Sequence, residues 1–194
     1  MQFEGRQIKL AVMGPGLLGG SLALAWAERF GTDSLLLWGR SEASLELASS
    51  VLSSSNLTTE LTRVVDFADL VVLATPVGVM ADLTQSLLDA GLRPGTLLID
   101  VGSVKSLVHR EIEPLLEGSG VHFVGSHPMA GSELTGFGAA SAKLFEGAAC
   151  VLTGAGQGIE LVRQLWQSLG CRVHEMTACE HDAAVAKVSH VPHL

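Results

Sequence analysis

Short apolar runs alternate with longer amphipathic stretches along almost the whole chain. A buried parallel strand gives a short apolar run, and the helix that returns to the next strand gives a longer segment with one apolar face. The sequence therefore predicts an α/β fold, with a doubly wound, mostly parallel sheet and helices on both faces. Strands are expected at residues 8–13, 34–38, 70–75, 97–101, 121–125, 148–153 and 172–176. Helices are expected at residues 17–30, 41–52, 79–90, 104–116 and 159–169, and another should begin at the capping box of Thr177 and Glu180.

A glycine-rich hexapeptide joins the first expected strand to the first helix. GPGLLG at residues 14–19 fits the pattern G-x-G-x-x-G, in which Gly14 permits a tight turn, Gly16 admits a pyrophosphate and Gly19 allows close helix packing. The first amides of the helix would then face the phosphates. The hexapeptide predicts a Rossmann-type dinucleotide site, and an ordinary strand–helix turn is the alternative. The expected cofactor-binding residues of this loop are Gly14, Pro15, Gly16, Leu17, Leu18 and Gly19.

The end of the second expected strand carries a cation. NAD-binding domains of this type place an acid about twenty residues after the glycine loop, where it binds the ribose 2′-hydroxyl. This chain has Arg40 and Ser41 there. A guanidinium group can pair with a 2′-phosphate, and the serine adds a hydroxyl group. The sequence therefore favours NADP over NAD, and the alternative is that Arg40 is a solvated loop cation.

Two further loops should lie at the carboxyl ends of the parallel strands, where open α/β sheets bind their ligands. Thr75 and Pro76 close the third expected strand and would flank a nicotinamide ring. After the next strand, Ser103 offers a hydroxyl group and Lys105 a cation at a helix start. The alternatives are a helix cap for Ser103 and a surface position for Lys105.

One histidine stands among small residues in the run GSHPMAG, residues 125–131. Histidine titrates nearest to physiological pH, so His127 is a candidate for proton transfer. We expect Pro128 to fix a turn directly after it. Ala130 and Gly131 leave room for a ligand to approach the main chain.

Together these motifs resemble the nucleotide-binding part of the prephenate/arogenate dehydrogenase family of tyrosine biosynthesis. The resemblance extends over nearly all 194 residues. It is carried by GPGLLGGSLA (14–23), ATPV (74–77), GSVK (102–105), GSHPMAG (125–131) and SHVPH (189–193). The first motif is common to Rossmann folds, and the last three in this order are specific to the family.

The resemblance implies an oxidative decarboxylation of prephenate or arogenate, with hydride transfer to NADP. It implies that His127 is the general base for the ring hydroxyl, and that Ser103 positions His127 and contacts the nicotinamide. The substrate-binding residues that it implies are Ser103, His127, Ser132, Glu133, Ser189, His190 and His193. For His190, packing within its helix remains an alternative.

The resemblance also implies a division of the chain at residue 176. Residues 1–176 would form the NADP-binding domain, and residues 177–194 would begin a helix leading into a helical substrate and dimerisation domain. That domain, which would form a homodimer and supply an arginine for the substrate carboxylate, is missing from the sequence. We therefore expect the chain to carry the base and the cofactor site, but only half of an active site.

The charge and cysteine content limit the other possibilities. A net charge of −8 argues against nucleic acid or an anionic membrane as a partner. The apolar runs are too short to span a bilayer, and three scattered cysteines suit the cytoplasm and give no metal-ligand spacing. The expected partner is a small-molecule substrate, with no metal. The alternatives are an NADP-dependent reductase of imines or keto acids and a non-catalytic NADPH-binding module.

Overall fold

A computed structural model describes residues 1–131 and 133–189, the last two by their main chain only. The strands are β1 (Gln2–Phe3), β2 (Arg6–Gln7), β3 (Leu10–Met13), β4 (Leu35–Trp38), β5 (Leu57–Thr58), β6 (Leu70–Leu73), β7 (Leu97–Asp100), β8 (His122–Pro128), β9 (Ala149–Thr153) and β10 (Arg172–Glu175). The α-helices are α1 (Leu17–Phe30), α2 (Glu42–Leu45), α3 (Leu61–Phe67), α4 (Met80–Asp89), α5 (Ser106–Leu116), α6 (Ile159–Ser168) and α7 (Ala178–Ser189).

Eight of these strands form one sheet in the order β10-β9-β8-β7-β6-β3-β4-β5. All neighbouring strands are parallel except β8 and β9, which are antiparallel. Strands β1 and β2 form a separate antiparallel hairpin. The predicted α/β fold with a mostly parallel sheet is thereby confirmed.

The core lies on both faces of this sheet. Successive residues of a strand point to opposite faces, and in β3 the pair Leu10 and Val12 packs in one cluster while Ala11 and Met13 pack in the other. The first cluster includes the buried side chains of α1 and α6, and the second includes those of α3, α4 and α5. Every residue of β3, β6 and β7 is buried because helices cover both faces.

The helix predicted over residues 41–52 is wrong beyond its first turn. Helix α2 ends after four residues, and a 3₁₀ turn follows at Ala48–Ser50. The hydroxyl groups of Ser49 and Ser50 donate hydrogen bonds to main-chain carbonyls three residues earlier, at 2.6 and 2.7 Å. These bonds compete with the regular helical pattern, which explains the early end of α2.

The turn expected at Pro128 is also wrong, because β8 continues to that residue. Residues 122–124 pair with β7, and residues 125–128 pair with β9. The amide of Met129 donates to Ala149 of β9 at 2.7 Å. Successive main-chain nitrogens of a strand point to opposite sides, so the nitrogen of Pro128 points away from β9. On that side Pro128 lies beyond the last residue of β8 that pairs with β7. His127 therefore stands on a strand, opposite Val151.

No helix within residues 1–131 and 133–189 is both long and apolar enough to cross a membrane.

Candidate active site

The glycine loop has the geometry that a dinucleotide requires. Gly14 adopts φ +117°, and a Cβ atom there would lie 2.8 Å from the carbonyl oxygen of Ala74. A Cβ atom on Gly19 would lie 2.0 Å from the oxygen of Gly14, so α1 packs against the loop only without a side chain. Gly16 has open space where its Cβ would be. The loop therefore presents bare main chain at Gly16, as a pyrophosphate needs.

The first turn of α1 is free to bind an anion. Gly16 is its N-cap and provides no side-chain hydrogen bond, and the first turn contains no acidic residue. The opening amides, which include those of Leu17 and Leu18, carry the positive end of a 14-residue helix. Pro15 lacks an amide of its own. The loop and helix together fit the phosphates of a dinucleotide cofactor.

Thr75 provides a second indication that this loop binds a polar ligand. Its Oγ1 atom is buried and has no hydrogen-bond partner among the described residues. Its methyl carbon would lie 3.2 Å from a Cβ on Gly14, so it borders the glycine loop. Pro76 follows it and is exposed. A buried hydroxyl without a partner costs free energy, which a bound polar ligand would recover.

Arg40 and Ser41 lie just past the end of β4, next to the same loop. The amide of Gly14 donates to the carbonyl oxygen of Trp38 at 2.9 Å, which places the two strand ends together. Arg40 is exposed and makes no ion pair within the described part of the chain. The Ser41 hydroxyl accepts a hydrogen bond from the amide of Ser44 at 3.3 Å and so caps α2. Arg40 is therefore the available cation of this strand end.

His127 is half-buried, and its ring is held by a second histidine. Its Nδ1 atom lies 2.8 Å from Nε2 of His181 on α7. The other ring nitrogen of His181, Nδ1, lies 2.8 Å from Oδ1 of Asp182. Sequence reasoning missed both α7 residues. The available signal was the adjacent His-Asp pair directly after the capping box of Thr177, which is confirmed by the bonds between Thr177 and Glu180.

The Asp182 carboxylate is bound from a third element. Its two oxygens accept hydrogen bonds from the amides of Lys105 and Ser106, both at 2.8 Å. The pKa of Asp182 lies well below its ordinary range. Partial burial alone would raise it, but the bonds from Ser106, Lys105 and His181 outweigh that effect. Asp182 is thus an anion that joins α7 to the start of α5.

The environment of His127 keeps its ring neutral. Burial lowers the pKa of His127 to about 4, helped by electrostatic interactions with His181 and Lys105 and opposed by Asp182. A neutral imidazole is able to accept a proton at physiological pH.

Lys105 is completely buried, so the alternative of a surface lysine is wrong. Its ammonium group forms an ion pair with Asp100 and donates to the carbonyl oxygen of Ser126 at 2.8 Å. Asp100 also accepts from the amides of Gly102 at 2.8 Å and Ser126 at 3.3 Å. Burial raises the pKa of Asp100, and the Lys105 ammonium opposes that rise. Both members of the ion pair thus bind the main chain of Ser126, the residue directly before His127.

A cleft opens beside His127. Its volume is about 370 Å³, and its walls are residues 127–131 together with Ala184 and Val185 of α7. The lining is mainly apolar, with the His127 ring as its titratable group. This size and lining suit a small ring-shaped ligand.

The remaining predicted site residues are either exposed or outside the part of the chain that the structure describes. Ser103 is exposed and makes no hydrogen bond to His127 within the described residues, where Nδ1 of His127 is bound by His181. Glu133 is exposed. Ser132, His190, His193 and the side chain of Ser189 lie outside the described residues. Within residues 1–131 and 133–189, no group of three or more potential ligand side chains could hold a metal ion.

Comparison with known proteins gives consistent matches. The family model described as "Prephenate dehydrogenase, nucleotide-binding domain" matches residues 29–175. A prephenate dehydrogenase of Lactococcus lactis is 34% identical over 186 residues, which cover 96% of this chain and 51% of that protein. The chain thus spans about half the length of this curated relative.

Two solved structures are similar in fold and sequence. A prephenate dehydrogenase of Aquifex aeolicus, in complex with hydroxyphenyl propionate and NAD+, matches with a TM-score of 0.86 and 28% identity, over 97% of this chain and 66% of that one. A Synechocystis arogenate dehydrogenase matches with a TM-score of 0.82 and 29% identity, over 94% of this chain and 64% of that one.

Proposed function

The chain belongs to the prephenate dehydrogenase family, and from this premise we propose that it forms the cofactor-binding and proton-accepting part of a prephenate or arogenate dehydrogenase. The observation that carries the proposal is the neutral His127 ring at the wall of an apolar cleft. We assign residues 1–176 to the NADP-binding domain and residues 177–194 to the start of the helix that follows it.

The reaction needs little driving force from the protein, because the substrate ring becomes aromatic. The bound nicotinamide supplies the acceptor for the hydride that leaves the hydroxyl-bearing carbon. His127 takes the hydroxyl proton, so that a carbonyl forms at that carbon. The carboxylate at the opposite ring position then leaves as CO₂, and its electron pair completes the aromatic ring. The chain must therefore orient the ring and hold one proton acceptor.

The geometry of the loops supports the proposed cofactor-binding residues. The backbone of the glycine loop and the first turn of α1 would hold the pyrophosphate. Thr75 would donate its unpartnered hydroxyl group near the nicotinamide, with Pro76 beside it. Ser103, exposed after β7, would contact the nicotinamide and the substrate.

We propose NADP as the preferred cofactor, with NAD as the alternative. The support is Arg40, an exposed cation without an ion pair within the described residues at the end of β4, where an NAD-specific domain would carry an acid. A guanidinium group can bind a 2′-phosphate through two parallel hydrogen bonds. Ser41 would donate its hydroxyl hydrogen, since its hydroxyl oxygen accepts from the amide of Ser44 and its own amide already donates to the Ser44 hydroxyl group.

The other substrate contacts are those that the resemblance implies. Glu133 would stand at the mouth of the cleft, and Ser132, Ser189, His190 and His193 would line it. A homodimer formed through a helical domain also stays a prediction. Three free cysteines, Cys150, Cys171 and Cys179, favour a reducing compartment, so we propose a cytoplasmic location.

The test is an assay of the protein expressed from its complete reading frame, with prephenate and arogenate as substrates. We expect NADP-dependent turnover of at least one of them, and a decrease of about 10²- to 10⁴-fold in His127→Ala. Tight binding of NADP+ in isothermal titration without turnover would instead support a binding module. Turnover only of imines or keto acids would support the alternative reductase.

A further inference from the structure

A continuous chain of hydrogen bonds runs from the start of α5 to the ring of His127. The amides of Lys105 and Ser106 donate to Asp182, Asp182 contacts Nδ1 of His181, and Nε2 of His181 contacts Nδ1 of His127. Each of the four contacts measures 2.8 Å. This series of hydrogen bonds therefore links α5, α7 and β8, and it ends at the ring of His127.

The direction of these bonds begins with Asp182. An ionised carboxylate can only accept hydrogen bonds. The two amides that bind it and its lowered pKa both indicate that Asp182 is ionised. The atom of His181 that contacts it, Nδ1, must therefore carry a hydrogen atom.

The ring of His181 follows the same rules about donors and acceptors. This side chain is only 1% exposed, and both of its ring nitrogens are occupied within the protein. In a neutral imidazole one nitrogen donates and the other accepts. For a neutral His181 ring whose Nδ1 donates to Asp182, Nε2 is the acceptor, and the hydrogen atom in the bond between the two histidines belongs to His127.

We propose that His181 and Asp182 are positioning residues that fix His127 as its Nδ1-protonated tautomer and so leave Nε2 as the proton-accepting atom. The nitrogen that carries the hydrogen atom in a histidine is set by the bond that the other nitrogen makes. A proton taken from a substrate hydroxyl would stay on Nε2, and the resulting imidazolium would keep its Nδ1–H bond to His181. No further proton transfer is required.

The consequence for catalysis rests on the proposed function, but the tautomer itself does not. The tautomer is therefore measured on the chain alone, labelled with ¹⁵N, through long-range ¹H–¹⁵N correlations of its histidine rings at neutral pH. We expect a protonated Nδ1 and an unprotonated Nε2 for His127. The opposite pattern in the wild-type chain would overturn the proposal without any variant.

Two substitutions at position 181 separate positioning from packing. His181→Phe fills a similar space without an acceptor, and we expect His127 to lose its preference for the Nδ1-protonated form. His181→Gln supplies a carbonyl oxygen as acceptor, and we expect it to restore that form. His174→Gln, which changes an exposed histidine on β10, is the matched control and should leave His127 unchanged.

A second variant covers the case in which His181→Phe does not fold. Asp182→Asn keeps His181 in place but removes the negative charge that orients it, and the fraction of Nδ1-protonated His127 should fall. An unchanged fraction in this folded variant would contradict the role of Asp182.

Kinetics of the protein from its complete reading frame then address the catalytic consequence. We expect His181→Phe to lower kcat by roughly 10²-fold with little change in KM, and His181→Gln to recover most of the loss. If His127 has the expected tautomer but no substrate is turned over, the proposed function fails and the positioning stands. If turnover occurs with His127 protonated on Nε2, the positioning fails and the function stands.

Discussion

The buried ammonium group of Lys105 donates a hydrogen bond to the main-chain oxygen of Ser126, the residue directly before His127. Its other partner is the carboxylate of Asp100 at the end of β7. The lysine therefore ties the loop after β7 to the strand that carries the proposed base. The same residue also reaches the base from a second side, because its amide binds Asp182.

Replacing Lys105 by methionine should destabilise the protein strongly. The change leaves the Asp100 carboxyl group buried without its cation, and loss of one partner of a buried ion pair typically costs about 3–5 kcal/mol. Urea unfolding followed by circular dichroism measures the loss. Lys143→Met, at an exposed lysine, is the control and should stay within about 0.5 kcal/mol of the wild type. Equal unfolding midpoints for Lys105→Met and the wild type would contradict a structural role for the ion pair.

The ring of His127 should titrate far below the ordinary histidine range. Burial and electrostatic interactions with His181 and Lys105 disfavour its protonated form, and Asp182 favours it, with a resulting pKa of about 4. The ring should therefore stay neutral from pH 8 down to roughly pH 5 and gain its proton only below that. Proton NMR of the ring between pH 3.5 and 8 gives the midpoint, with His127→Gln identifying the signal. A midpoint near the ordinary histidine pKa of 6.5 would show that the ring is not desolvated as the fold indicates.

Alanine at Gly16 and at Gly19 should have different effects. At Gly19 the added Cβ would meet the oxygen of Gly14 at 2.0 Å, so α1 must shift and stability should fall by about 1–3 kcal/mol or more. At Gly16 the space is open, so stability should change by less than about 1 kcal/mol. Its methyl group would nevertheless keep a pyrophosphate from the main chain, and NADP+ affinity should fall about tenfold or more. Thermal unfolding and isothermal titration test the pair, and unchanged affinity in Gly16→Ala would place the phosphates elsewhere.

Arg40→Gln should weaken NADP+ binding and leave NAD+ binding nearly unchanged. The expected loss is about 1.5–3 kcal/mol, which corresponds to roughly 10- to 150-fold in Kd. Arg172→Gln, at an exposed arginine of β10 on the opposite edge of the sheet, should change neither affinity. Equal losses for the two cofactors would exclude a specific contact with the 2′-phosphate.

Thr75→Val should lower cofactor affinity without destabilising the protein. The hydroxyl group has no partner among the described residues, so its replacement by a methyl group of similar size removes an unsatisfied polar atom. The melting temperature without cofactor should be equal or higher, and the increase that NADP+ produces should be smaller. A lower melting temperature without cofactor would mean that the hydroxyl group already serves the folded chain.

The elements that could be predicted from sequence are those whose pattern follows directly from burial. Helix α1 has the predicted bounds, and β3, β6 and β7 were predicted to within a few residues, because each is a short apolar run next to a helix. Strand β5 and helix α3 were missed. Two residues of strand and seven of helix are too short to show a period. The position of His127 on β8 was missed because its partner, β9, lies more than twenty residues further along the chain.

In the candidate site, too, some features could be predicted from the sequence and others could not. The glycine loop and Arg40 are local motifs, and their neighbours in sequence are also their neighbours in space. The ion pair of the buried Lys105 depends on the pairing of β7 and β8, and the bond between His127 and His181 depends on the docking of α7. No local pattern encodes either contact. A histidine one turn into a helix has the same local pattern whether it faces solvent or a second histidine.

The residues that are hydrogen-bonded to each other around His127 are far apart in the sequence. His127 and His181 are 54 residues apart, and Lys105 and Asp182 are 77 apart. Contacts of such long range form only after much of the chain has been ordered, because loop-closure entropy must be overcome first. The hydrogen-bonded position of the His127 ring therefore forms only when folding is nearly complete. Any event that loosens α7 will change the proton affinity of His127 without touching it, so this ring reports whether the last described helix is docked.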